Sequence, residues 1–105
     1  MTRIRVLIVD DHGVVRQGLR TYLELLDDIE VIGEAENGTE AVVQVRQLQP
    51  DVVLMDLVMP EMDGIEATRK VCAASPSTRV IVLTSFADDE KVFTAIKAGA
   101  AGYMI

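Results

Sequence analysis

Short apolar runs rich in β-branched residues alternate with segments of helical periodicity along the chain. Each run is continuous rather than alternately polar and apolar, which is typical of strands that are buried on both faces of a parallel sheet. The predicted strands are Ile4–Val9, Val31–Ala35, Asp51–Met55, Val80–Thr84 and Ala101–Ile105.

Four helical segments separate these strands. The first, Val14–Leu26, carries apolar residues at helical spacing, namely Val15, Leu19, Tyr22, Leu23 and Leu26. The second begins at Asn37-Gly38 and stops at Pro50, and the third runs from Gly64 to the break at Ser75-Pro76-Ser77. The fourth is predicted over Glu90–Ala98, with Gly99 as its C-terminal glycine.

Strands that alternate with helices favour right-handed βαβ crossovers. We therefore predict a single α/β domain over residues 1–105, with a doubly wound, five-stranded parallel sheet in the flavodoxin-like order 2-1-3-4-5. In this order strands 1 and 3 are neighbours, and ligands bind beyond their carboxyl ends, where the connections diverge.

The composition limits the partners of such a domain. Ten basic and 17 acidic residues give a formal net charge of −7, which argues against direct binding of nucleic acid or an anionic membrane. A single cysteine excludes a disulfide framework. The sequence shows neither a signal-peptide pattern nor an apolar run of membrane-spanning length, so we expect a cytoplasmic protein.

Three aspartates follow the two strands that the predicted order makes neighbours. Asp10 and Asp11 come directly after the first strand, and Asp56 after the third. An acidic pair after a strand is often only a solvated turn, but three carboxylates at one sheet edge repel one another unless a cation offsets their charge. The pattern therefore predicts a site for a hard divalent cation. For the neighbouring His12 we expect a surface position rather than a metal ligand.

The sequence also resembles the receiver domain of two-component response regulators. The resemblance is carried by Val9–His12, Asp56–Gly64, Leu83–Ser85 and Lys97–Tyr103. The Asp10-Asp11-His12 start is most similar to regulators of the NarL/LuxR type. A sensor histidine kinase and, in the full-length protein, an effector domain of the helix-turn-helix type are the partners that this resemblance implies, with a homodimer as a further possibility.

The resemblance assigns roles to the acidic site. Asp56 is expected to accept a phosphoryl group, and Mg²⁺ is the expected cofactor. Asp11 and Asp56 would bind the ion directly, Asp10 through water, and Val58 through its backbone carbonyl. Thr84 would hydrogen-bond the phosphoryl group, and Tyr103 would act as a switch residue. We expect no enzymatic activity beyond the domain's own phosphorylation and dephosphorylation.

The family carries a phosphate-binding lysine three positions beyond the residue that matches Tyr103, which places it after Ile105. We therefore expect a truncated receiver whose final helix is missing. Two other functions stay open at this point: a Mg²⁺-dependent phosphatase with an aspartyl-phosphate intermediate, and an interaction module that does not use phosphate.

Overall fold

The computed structural model describes residues 3–56, 64–83 and 99–104. The strands are β1 (Ile4–Val9), β2 (Ile29–Ala35), β3 (Val52–Asp56), β4 (Arg79–Leu83) and β5 (Gly102–Met104). The helices are α1 (Gly13–Glu24), α2 (Gly38–Leu48) and α3 (Gly64–Ala74). Neither α1, α2 nor α3 combines the length and the apolar character that crossing a membrane requires.

The strands pair in parallel in the order β2-β1-β3-β4-β5. The prediction of an α/β flavodoxin-like fold is confirmed, as is the order 2-1-3-4 of its four longer strands. A fifth strand pairs with β4 at the edge of the sheet, as predicted, but it begins at Gly102 rather than Ala101, and its predicted last residue, Ile105, lies outside the described residues.

Successive residues of β1 pack on opposite faces of the sheet. Leu7 and Val9 join a core cluster beneath α2 and α3. Val6 and Ile8 belong to a second cluster, against which Leu19 of α1 packs. Both faces are therefore apolar, which explains why the strand sequences are continuous hydrophobic runs.

Helix α1 ends two residues before the predicted end at Leu26. The last turn has the tighter hydrogen bonding of a 3₁₀-helix, because the backbone N–H of Leu25 donates to the carbonyl of Tyr22 and that of Leu26 donates to the carbonyl of Leu23. Tyr22, one of the apolar residues at helical spacing, is 63% exposed. The helical spacing of Tyr22 therefore agrees with the helix but does not place its side chain in the core.

Helix α2 begins and ends as its sequence predicts. The side chain of Asn37 accepts a hydrogen bond from the backbone N–H of Glu40 at 2.8 Å, which caps the N-terminus. At the other end Gln49 adopts a left-handed conformation with φ of 47°, and Pro50 follows.

The ends of three strands differ from those predicted. β2 begins two residues earlier, at Ile29, because Ile4 and Arg5 of β1 pair with Ile29 and Glu30. β3 begins and ends one residue later, at Val52–Asp56, and β4 begins one residue earlier, at Arg79, while its predicted last residue, Thr84, lies outside the described residues. The two strands pair with each other over Val52–Asp56 and Arg79–Leu83. The predicted helix Glu90–Ala98 lies outside the described residues.

Candidate functional site

The carboxyl ends of β1 and β3 meet at one edge of the sheet. β1 and β3 are hydrogen-bonded neighbours, with Val9 paired to Met55, so the chain leaves both strands at the same level. Asp10 is the first residue after β1, and Asp56 is the last residue of β3. The register of the two strands therefore brings their acidic residues together.

A compact group of ligand atoms forms at this edge. One side-chain atom from each of four residues lies within 4.8 Å of all the others, and these residues are Asp10, Asp11, His12 and Asp56. We call this group the acidic cluster. The acidic cluster contains the three aspartates that were predicted to form the metal site. It also contains His12, which was predicted to lie at the surface and not to bind the metal.

Asp10 is fixed by hydrogen bonds to its backbone N–H, its carboxylate and its backbone carbonyl. Asp10 is 4% exposed. Its backbone N–H donates to the carbonyl of Ala35 at 3.1 Å, and its carboxylate Oδ1 accepts the backbone N–H of His12 at 2.7 Å. The Asp10 carbonyl accepts a hydrogen bond from Nη1 of Arg16 at 2.6 Å. Asp10 is therefore a buried, fixed acid at the base of the cluster.

His12 occupies the surface position that was expected, but it also lies in the cluster. Its side chain is 67% exposed, and its Nδ1 is 3.2 Å from Oδ1 of Asp10 and 3.0 Å from Oδ1 of Asp11. The signal for this contact was present in the sequence, because a residue that directly follows two clustered aspartates can reach their carboxylates.

Arg16 is a second residue of the site that the sequence analysis did not select. It lies in the first turns of α1, and its mostly buried side chain connects the Asp10 carbonyl to Glu34 of β2, with Nε 3.1 Å from Oε1. Arg20 donates to the other carboxylate oxygen of Glu34 at 2.5 Å. The two arginines thereby attach α1 to β2 beside the acidic cluster.

These ion pairs lower the pKa of the Glu34 carboxyl. The hydrogen bond from Arg20 holds the pKa of the Glu34 carboxyl below its ordinary value, and the bond from Arg16 acts in the same direction, while burial opposes both. The ionised form of Glu34 is therefore the one that the folded protein favours.

Replacing Glu34 by glutamine (Glu34→Gln) should lower the free energy of unfolding by about 0.5–1 kcal/mol at pH 7, a modest effect because the pairs are partly screened by solvent. Since the folded-state pKa lies below the unfolded-state one, this stabilisation is fully present above the ordinary pKa of 4.5 and is lost as the pH falls through the folded-state value. Urea unfolding at several pH values measures it.

The matched control is Glu30→Gln, which changes an exposed carboxyl of the same strand. It should leave the unfolding free energy nearly unchanged at every pH. If the loss of unfolding free energy in Glu34→Gln stayed constant down to pH 3, the carboxylate charge would not be its cause.

Of the other three predicted site residues, which are Val58, Thr84 and Tyr103, the structure describes only the backbone of Tyr103. Val58 and Thr84 lie outside the described residues. The backbone of Tyr103 lies in β5, where it pairs with Val82. Leu83, which precedes Thr84 in the sequence, pairs with Asp56 across β3 and β4.

A family model for the response regulator receiver domain matches residues 6–105 of the chain. The chain belongs to the response regulator receiver family. The transcriptional regulatory protein LiaR of Bacillus subtilis is 56% identical to it over 102 residues, which are 97% of this chain and 48% of LiaR. The receiver domain thus spans about half the length of this curated relative.

Solved receiver structures share its fold. The receiver domain of NarL from Mycobacterium tuberculosis superposes with a TM-score of 0.93 at 34% identity, covering 98% of this chain and 83% of that one. A CheX–CheY–BeF₃–Mg²⁺ complex from Borrelia burgdorferi contains a chain with a TM-score of 0.90 at 27% identity, covering 99% of this chain and 78% of that one. The resemblance to NarL-type receivers is therefore confirmed in sequence and in structure.

Proposed function

We propose that this receiver domain accepts a phosphoryl group on Asp56 from a sensor histidine kinase and controls an effector that regulates transcription. The observation that carries the proposal is the convergence of three carboxylates at the ends of β1 and β3. The relationship to LiaR, a transcriptional regulatory protein, supports the kind of output. The effector itself would lie in the full-length protein, outside the 105 residues of this chain.

Asp56 is the proposed nucleophile. Its carboxylate oxygen would form a bond to phosphorus while the bond between phosphorus and the kinase histidine nitrogen breaks, which leaves an aspartyl phosphate and a neutral imidazole. Asp56 is half-buried at the end of β3, so the strand fixes its position and one side stays accessible. Asp10 and Asp11 lie too close to share the site with an incoming phosphate unless their negative charge is offset.

The acidic cluster fits Mg²⁺. Its aspartates supply oxygen ligands, which this ion prefers, and their ligand atoms lie within 4.8 Å of one another. Asp11 and Asp56 would hold the ion directly, Asp10 through water, and Val58 through its backbone carbonyl. When bound, Mg²⁺ supplies the positive charge that lets an anionic carboxylate and an anionic phosphoryl group approach each other. The presence of Mg²⁺ in the related CheX–CheY complex supports this choice.

The proposed response to phosphorylation involves β4 and β5. Thr84 follows Leu83, the partner of Asp56 in the sheet, so a phosphoryl group on Asp56 would be near the end of β4. We assign Thr84 to hydrogen-bonding that group and Tyr103 to the switch that reports it. The pairing of Tyr103 with Val82 connects β5 to the same strand and supports this coupling.

The test is phosphorylation of the unmodified 105-residue chain by a small acyl phosphate donor, followed by intact-protein mass spectrometry. We expect incorporation in the presence of Mg²⁺, a limit of one phosphoryl group per chain, and loss of the product on treatment with hydroxylamine, which cleaves acyl phosphates. Incorporation that persists in excess chelator would contradict the role of the cation. Continuous turnover of phosphate esters would instead indicate a phosphatase.

A further inference from the structure

We propose that the groove between α2 and α3 is an interface at which two copies of this chain form a symmetric dimer, with their α2 helices antiparallel. The proposal goes beyond the phosphorylation chemistry and does not depend on it, because none of the residues that line the groove belongs to the acidic cluster. It identifies both a surface and its occupant, which is the same surface of a second copy.

The groove lies between one stripe of α2 and the C-terminal half of α3. It has a volume of about 480 Å³ and is lined by Thr39, Val42, Val43, Arg46, Lys70, Ala73 and Ala74. The four residues from α2 recur at i, i+3, i+4 and i+7, which places them on one face of the helix. We call this surface the α2–α3 groove.

The floor of the α2–α3 groove is apolar. Val42 is buried, and the small side chains of Ala73 and Ala74 leave space beside it. Val43 lies at the edge of this space with 48% of its surface exposed. Small residues at a contact allow two helices to approach closely, so Val43 of a second copy would fit into the space that the alanines leave.

Two cations flank this apolar floor, namely Arg46 and Lys70, although the chain as a whole carries a formal net charge of −7. Lys70 is 3.7 Å from Glu66, one turn earlier on α3. Within residues 3–56, 64–83 and 99–104, no carboxylate forms a salt bridge with Arg46. The α2–α3 groove therefore suits a helix that presents an apolar side chain to the floor and a carboxylate to Arg46.

A second copy supplies that carboxylate at the required spacing. Glu40 lies in the first turn of α2 and lines a depression that shares Thr39 and Val43 with the groove. Val43 is the middle residue of α2, with Glu40 three residues before it and Arg46 three residues after it. If two antiparallel α2 helices cross at Val43, the twofold axis sets Arg46 of each copy opposite Glu40 of the other. Both ion pairs then form together.

The dimer is expected to be weak. Two acidic copies repel each other at long range, and salt screens this repulsion over about 8 Å at physiological ionic strength. Two short helices from each copy form a small interface, and interfaces below about 1,200 Å² are typical of transient association. We therefore expect a dissociation constant between roughly 10 µM and 1 mM.

Sedimentation equilibrium of the 105-residue chain, at about 0.15 M salt and from roughly 10 µM to 1 mM protein, tests the proposal. The unmodified chain should show a reversible equilibrium between monomer and dimer. Replacing Val43 by aspartate (Val43→Asp) should weaken association at least about tenfold, because a charge would enter the apolar groove. The matched control is Val14→Asp, which makes the same change at an 86% exposed residue of α1 and should leave association unchanged.

Two charge reversals test the antiparallel arrangement. Arg46→Glu and Glu40→Lys should each weaken association at least about tenfold, since each variant sets like charges opposite one another across the twofold axis. An equimolar mixture of the two variants should recover the dimer, because every pair in the mixed dimer joins opposite charges. Far-UV circular dichroism verifies that each variant is folded.

Three results would contradict the proposal. A chain that stays monomeric up to roughly 1 mM would exclude the dimer. A dimer that Val14→Asp weakens as much as Val43→Asp would place the contact on α1 or make it non-specific. Failure of the mixed charge variants to associate, with Val43→Asp monomeric, would overturn the antiparallel pairing of Arg46 with Glu40.

Discussion

Replacing Asp56 by asparagine (Asp56→Asn) should lower phosphoryl incorporation at least about a hundredfold, because a neutral amide is a poor nucleophile toward phosphorus. The asparagine side chain has nearly the same shape as the aspartate that it replaces. It also removes one negative charge from the acidic cluster, which should leave the fold intact or slightly more stable in the absence of a cation. Loss of incorporation can then be separated from unfolding.

The measurement is intact-protein mass spectrometry after incubation with Mg²⁺ and an acyl phosphate donor, with circular dichroism to verify folding. The matched control is Asp27→Asn, which removes the same charge from an exposed turn after α1. It should be phosphorylated as the unmodified chain is. Incorporation in Asp56→Asn at more than half of the control level would place the acceptor on another residue, with Asp10 and Asp11 as the first candidates.

Replacing Leu7 by alanine (Leu7→Ala) should reduce the free energy of unfolding by about 2–5 kcal/mol. Leu7 is fully buried in the middle of β1, where its side chain belongs to the cluster beneath α2 and α3. Shortening it removes apolar contacts and leaves a cavity that the surrounding strands cannot easily fill. Since domains of this size are stabilised by about 5–15 kcal/mol, the loss is a large fraction of the total.

Leu25→Ala provides the comparison, because Leu25 undergoes the same chemical change at a residue that is 76% exposed. Its effect should stay within about 0.5 kcal/mol. Urea unfolding followed by far-UV circular dichroism suits both variants, since the chain has no tryptophan. Similar losses in the two variants would contradict the assignment of Leu7 to the core.

The sequence predicted the sheet well because the physical signal for its strands is strong. A continuous run such as Ile4–Val9 must be buried on both faces, and the parallel order follows from the helices between the strands. Tyr22 shows where the pattern fails. Helical spacing identifies which residues share a face, but whether that face is covered depends on what packs against it, and Tyr22 is exposed.

The acidic cluster was predictable in part for a related reason. Asp10 and Asp56 follow from strand order alone, because parallel neighbours end at the same edge. The contacts of His12 and Arg16 depend on how the chain turns between β1 and α1, which includes the side-chain bond from Asp10 to the backbone of His12. Sequence periodicity carries no information about such a turn. The adjacency of His12 to two aspartates was the sequence signal for its contact, whereas the place of Arg16 emerged only from the structure.

The anchoring of Asp10 has a thermodynamic consequence. Its N–H, its carbonyl and its carboxylate are each engaged by a different residue, so the side chain is already ordered before any ion arrives. A preorganised ligand loses little conformational entropy on binding, and ion capture at this residue is governed chiefly by the exchange of water for carboxylate oxygen. The conformational entropy of the Asp10 side chain is thus lost when the protein folds, whereas an acidic residue in a flexible loop would lose it each time an ion binds.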